Sequence, residues 1–115
     1  MQDLKNRTKQ FSIGILKFCD SLEKNSTVQI IQKQLMRSCT SVAANYRAAC
    51  RAQSKAAFIA KLAIVEEEAD ESLFWLELIE ELGLNNTNLL KQLQDEANQL
   101  TAIIVASRKT AKTNR

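Results

Sequence analysis

Apolar residues recur every three or four positions along almost the whole chain, the spacing of a helix that turns one face to a core. The sequence is organised around Gln34 to Leu82, which reads as two long helices folded back on each other near Ala52, Gln53 and Ser54. Val28, Ile31, Leu35, Ser38, Val42, Tyr46 and Ala49 line one face of the first limb. Phe58, Leu62, Val65, Ala69, Leu73, Leu76 and Ile79 line the second. Upstream, Leu4, Phe11, Ile15, Phe18 and Leu22 form a core stripe widened by Ile13 and Leu16. Downstream, Leu89, Leu90, Leu93, Ala97, Leu100, Ile104 and Ser107 form another, widened by Ile103 and Val105.

The breaks between these stripes carry capping chemistry. Asn25 to Thr27 offers Ser26 or Thr27 as an N-cap, Ser54 caps the third helix, and Asn85 to Thr87 forms the last turn and cap. Gly83 suits the position just past a helix end, because glycine enters the left-handed region without a Cβ clash. The predicted helices are 4–24, 28–52, 54–82 and 87–108. With three short turns they give an all-α, up-down-up-down antiparallel four-helix bundle. From Lys109 to Arg115 nothing needs burial, so this basic tail reads as frayed or disordered. Gly14 sits in mid-helix, where close packing against a neighbour would compensate its loss of helix propensity.

Each central limb carries a second stripe. On the first it is Gln34, Arg37, Ser41, Ala44, Asn45 and Ala48; on the second it is Ile64, Glu67, Glu71, Phe74, Trp75, Leu78 and Leu82. A helix with two such faces has two neighbours to satisfy. Phe74, Trp75, Leu78 and Leu82 are therefore the predicted oligomer interface, since a monomer would expose them as an apolar patch.

Composition narrows the classes further. The chain has 115 residues, no proline, no histidine, two glycines and three cysteines, which fits one helical domain. The cysteines Cys19, Cys39 and Cys50 show no metal or disulfide spacing and read as buried free thiols. No signal peptide or spanning segment is legible, so a soluble, cytoplasmic protein without membrane contact is expected. Charge is blocked: +8 over residues 1–61, −9 over 62–96 and +4 over 97–115, for a net +3. Lateral neutralisation within an antiparallel bundle is the simplest reading of these blocks.

The acidic run Glu66, Glu67, Glu68, Asp70 and Glu71 invites comparison with di-iron bundles, but histidine partners are missing and the first two helices offer only Asp20 and Glu23. Neither metal nor cofactor is expected. Ser38, Cys39 and Ser41 have no histidine base, and both glycines are solitary, which argues against nucleophilic catalysis and phosphate-cradling loops. Folding the central hairpin at residues 52–53 puts Arg37 level with Glu67, Glu68 and Glu71. A polar clamp is predicted from Arg37, Glu67 and Glu71 with Ser41 and Asn45. Lys5, Arg7, Lys9, Lys17 and Lys33, with Arg108 and Lys109 and the tail cations Lys112 and Arg115, are the candidate nucleic-acid contacts.

The stretch from Gln34 to Ser38, Ser41 to Asn45 with its Ser-x-x-Ala-Asn pattern, Ser54-Lys55, Phe58-Ile59 through Leu62, and Glu71 through Gly83 resembles the four-helix bundle protein family, the 23S rRNA intervening-sequence proteins. The pattern runs without a gap from Gln34 to Gly83. Ala48-Ala49 stands where Glu-Gly is usual, Glu67-Glu68 where Gly-Ser is usual, and Ser72 where leucine is usual. The resemblance implies an antiparallel bundle assembling as a homopentameric ring, without enzymatic activity. Some members are encoded inside intervening sequences of large-subunit rRNA genes, and a relative is the accessory nucleic-acid-binding partner of a reverse transcriptase in diversity-generating retroelements. Two function classes follow. One is a non-enzymatic homo-oligomeric scaffold that associates with RNA, DNA or a nucleic-acid enzyme; the other is a protein- or small-ligand-binding regulatory bundle without nucleic-acid contact.

Overall fold

The computed structural model describes residues 3–114. It contains α1 (Leu4–Asp20), α2 (Ser26–Cys50), α3 (Lys55–Glu81) and α4 (Asn88–Thr113), and no strand among the described residues. Each helix starts where a short polar side chain takes over an amide that has no intrahelical acceptor. Asp3, Asn25, Ser54 and Thr87 accept from the backbone N–H of Asn6, Val28, Ala57 and Leu90 respectively. The end of α3 is a Schellman turn: Gly83, at φ 70°, donates to Glu80 O, and Leu84 donates to Ile79 O, both at 3.0 Å. Leu84 then packs on the core.

The observed fold is the antiparallel four-helix bundle, 50 × 20 × 20 Å in extent. Consecutive helices pack against one another, and α4 returns to α1 through the thinnest seam, so α1 and α3 occupy opposite corners. The core is apolar at its centre, with Ile15, Leu35, Val42, Leu62, Val65, Leu76, Leu100 and Ile104 all fully buried.

Several boundaries differ from the sequence reading, each for a local reason. Helix α1 stops at Asp20 rather than near Lys24, because the Ser21 hydroxyl donates to Phe18 O at 2.6 Å and competes for the last turn. Asn25, rather than Ser26 or Thr27, caps α2. Helix α4 continues through the expected break at Lys109 to Thr113, since extending an existing helix is far easier than nucleating one. Arg115 lies outside the described residues. In the core, Ser72 takes the buried place that spacing gave to Leu73, and Leu89 is exposed while Leu90 is buried. Cys50 is exposed, whereas Cys19 and Cys39 are buried.

The buried polar side chains are satisfied between helices. Ser12 Oγ donates to Cys39 O at 2.6 Å across α1 and α2, and the hydroxyls of Ser38 and Ser72 meet at 2.9 Å across α2 and α3. Ser72 can stand in the core where leucine is usual because its hydroxyl is met twice, by Glu68 O within α3 at 2.9 Å and by Ser38 across the seam, leaving no unmet buried hydroxyl.

Gly14 faces α4, yet an added Cβ would lie 3.5 Å from Leu93 Cδ2, an ordinary contact. Close packing does not require glycine there. Gly14→Ala is expected to raise stability by about 0.4–1 kcal/mol, measured by thermal or urea unfolding. Burial pushes the Cys19 thiol up to about 11 and the Cys39 thiol up to about 12, with further increments from Asp20 and Cys19 respectively. Native protein should therefore release one fast equivalent to a thiol reagent, from Cys50, and the other two only on unfolding. Loss of the fast equivalent in Cys50→Ser checks the assignment.

Candidate functional site

Two surface features stand out once the helices are placed, a polar and apolar strip on the α2–α3 side and a basic groove between α1 and α2.

On the α2–α3 side, Arg37 Nη1 reaches Glu68 Oε2 at 3.2 Å, Nη2 bonds Glu71, and Nε reaches Gln34 at 3.3 Å. Trp75 Nε1 donates to the same Glu71 oxygen at 3.0 Å. Glu68, Glu71 and Trp75 lie at i, i+3 and i+7 on one flank of α3, which is why a single guanidinium can serve them together. Glu67 does not belong to the clamp. One residue turns a helix by about 100°, which carries Glu67 to the exposed outer face. Ser41 and Asn45 form a separate pair within α2, Asn45 Nδ2 donating to Ser41 O at 3.0 Å and to Ser41 Oγ at 2.9 Å.

Beside this network lies uncovered apolar surface. Phe74 is 51% exposed and Leu82 50%, Ile64 is 37% exposed, and Trp75 and Leu78 are half-buried against the core. Phe74 and Trp75 contact edge to face, with ring centroids 4.9 Å apart. The four predicted interface residues are thus brought together on one side of α3.

The groove between α1 and α2 has a volume of about 830 Å³. Its rims carry Lys5 and Lys9 from α1, Arg47 from α2 and Arg51 just past the end of α2, and Ser12, Thr40, Ala43 and Ala44 make a floor of small residues. Asp3 stands at the mouth and caps α1. Among the described residues none of the four cations has an ion-pair partner. Other predicted basic contacts are placed elsewhere. Arg7 makes a bidentate pair with Glu96, both N···O distances 2.7 Å, tying α1 to α4, and Arg108 binds Glu66 at 2.6 Å, tying α4 to α3. Lys17, Lys33 and Lys109 are exposed and line no part of the groove.

Arg47 and Arg51 were not singled out in the sequence. The available signal was their i, i+4 spacing on a helix joined to α1 by a short turn, which places them opposite Lys5 and Lys9.

Hydrogen bonding from Trp75 is the largest influence on the Glu71 carboxyl; burial opposes it and the Arg37 guanidinium adds to it, so the group is held below the usual range. The stabilisation is complete above the unfolded carboxylate range and is lost as pH falls through the folded value. With Arg37 49% exposed, solvent screening limits the pair to about 0.2–1 kcal/mol. Glu71→Gln should cost about that amount at neutral pH, and the difference from wild type should shrink as pH falls below the ordinary carboxylate range. Thermal unfolding across pH reads both.

A family model described as 23S rRNA-intervening sequence protein matches residues 2–106. Among solved structures, a protein of unknown function from the S23 ribosomal protein family of Bacteroides thetaiotaomicron is 30% identical. It aligns at a TM-score of 0.84 over 91% of this chain and 94% of that one. The comparison with curated proteins gives no match.

Proposed function

Because the chain belongs to the 23S rRNA-intervening sequence protein family, we propose that it acts as a non-enzymatic, homo-oligomeric scaffold, with five copies as the form that the family resemblance implies. The observation that supports assembly is the uncovered apolar strip of Phe74, Leu82 and Ile64, continuous with half-buried Trp75 and Leu78. Soluble chains rarely leave such a contiguous patch to water, and patches of this kind mark association surfaces. The Arg37–Glu71–Trp75 network beside it fixes the orientation of the strip, as polar neighbours do around an apolar contact.

Light scattering at micromolar concentration should give a mass several times the 12.9 kDa of one chain. Phe74→Glu with Leu82→Glu should return the monomer without unfolding it, since both side chains are already half-exposed. A monomer mass for the wild type removes the reading.

Association with nucleic acid is a second reading, favoured by one observation, the four unpaired cations of the groove. Arg7 and Arg108 are committed to carboxylates and add little. Contact through the groove would be sequence-tolerant and salt-sensitive. It predicts binding of structured RNA or duplex DNA at ~50 mM salt that weakens steeply by ~200 mM and is lost in Lys5→Glu with Lys9→Glu. No binding at the lower salt excludes it. A small-ligand bundle draws less support, because the interior is filled by side chains such as Leu35, Leu62 and Leu100 at 0% exposure.

A further inference from the structure

We propose that the basic groove between α1 and α2 receives the outer ridge of α3 from a second copy of the chain, so that copies join head to tail. This rests on the assembly proposed above and specifies which surfaces meet.

The charges of α3 are sorted by direction. Glu66, Glu68, Glu71 and Glu80, which face neighbouring helices, each hold a cation of this chain. Glu67, Asp70, Glu77 and Glu81 are exposed and have no ion-pair partner among the described residues. With Phe74 they form the face of α3 turned away from its own bundle. One copy therefore carries an acidic ridge with an aromatic centre, and elsewhere a groove with four cations that pair with no carboxylate among the described residues.

Size and spacing agree as well as sign. Lys5 and Lys9 are one helical turn apart, as are Arg47 and Arg51, and the ridge repeats its carboxylates at the same interval in Glu67–Asp70 and Glu77–Glu81. The Ser12–Cys39 contact sets the level of α1 against α2. By that register the cations span roughly 14 Å of groove, against roughly 21 Å for the carboxylates from Glu67 to Glu81. Flexible lysine and arginine side chains cover the difference. Centring the two series puts Phe74 near the level of Lys5 and Arg47, about one turn along from the Ala43–Ala44 floor, where the absence of large side chains lets a helix approach closely.

A phosphodiester strand fits the groove less well. Its floor offers no aromatic ring on which a base could stack.

Geometry also fixes the symmetry. The groove opens on the α1–α2 side, whereas the ridge runs along the corner opposite α1. Two copies cannot use both surfaces at once, so the contact is heterologous. Each addition leaves one groove and one ridge free until the series closes as a ring.

The test uses two full-length variants, Lys9→Glu with Arg47→Glu in the groove and Glu67→Lys with Glu81→Lys on the ridge. All four side chains are exposed, and circular dichroism checks that each variant is folded. Each variant alone should fall from the wild-type mass to the 12.9 kDa monomer. A single chain that carries all four reversals should assemble again to the wild-type mass, because the reversed groove then meets the reversed ridge at every junction, a recovery that a folding defect cannot imitate. Wild-type assembly should also weaken as salt is raised. Variants that each keep the wild-type mass overturn the inference while leaving assembly intact. A groove variant that stays oligomeric but loses binding to structured RNA overturns it and gives the groove to nucleic acid. A wild type that is monomeric at micromolar concentration overturns the assembly reading and this inference with it.

Discussion

The seam between α2 and α3 is the constraint on which the other features of the molecule depend. Leu35 and Val42 on one side and Leu62, Val65, Ala69 and Leu76 on the other are removed from water, and the Ser38–Ser72 bond lies among them. Both hydroxyls also reach a carbonyl of their own helix, Leu35 O at 3.1 Å and Glu68 O at 2.9 Å, so the close apolar packing around them, more than the bond itself, limits axial sliding. Fixing the register of the central hairpin fixes the rest. It sets the rotation of α3, which decides which carboxylates face inward to Arg37, Lys91 and Arg108 and which face out. It also sets the rotation of α2, which presents Ala43, Ala44, Arg47 and Arg51 along the α1 side.

Electrostatics in the folded chain follows from that geometry. The blocks of charge in the sequence are neutralised laterally, as the antiparallel order allows: Arg7 with Glu96, Arg37 with Glu68 and Glu71, Lys91 with Glu80, Arg108 with Glu66. Each pair joins two different helices. None is deeply buried, so each contributes little alone, and the apolar seams carry the stability. The ion pairs instead select one register among those that the apolar stripes alone would allow, because a shifted helix would set like charges side by side.

Much of this was legible in the sequence because it is local. The three-four spacing located nearly every core residue, and the caps at Ser54 and Thr87 and the glycine turn at Gly83 follow from short-range chemistry. The misses lie where an answer depends on helix rotation or on a distant partner. Spacing prefers Leu73 to Ser72, and it is the rotation of α3, with Glu68 O and Ser38 to take the hydroxyl, that puts Ser72 inside. Likewise Glu67 and Glu68 are equivalent in a linear reading, yet one residue of rotation puts the first in water and the second on Arg37. The groove was half visible in Lys5 and Lys9. Arg47 and Arg51 are some forty residues away, and only the pairing of α1 with α2 brings them to the same rims. Arg7 shows the converse error, since a basic residue within a basic run looks free until α4 brings Glu96 beside it.

What remains after these pairings is informative because it is unfavourable for a single chain. Lys5 and Lys9, and Arg47 and Arg51, are like charges one turn apart on the same helix, each pair destabilising by a few tenths of a kcal/mol. Glu77 and Glu81 repeat the arrangement with the opposite sign, and Phe74 exposes half of its surface between the ridge carboxylates. A surface optimised for the isolated bundle would intersperse the two signs and bury or replace the aromatic ring. Here both penalties persist in a chain whose inward-facing α3 carboxylates, Glu66, Glu68, Glu71 and Glu80, are all matched. Such local costs are ordinarily kept where function needs them, and a contact that brings opposite charges and an apolar floor to the same place relieves both together.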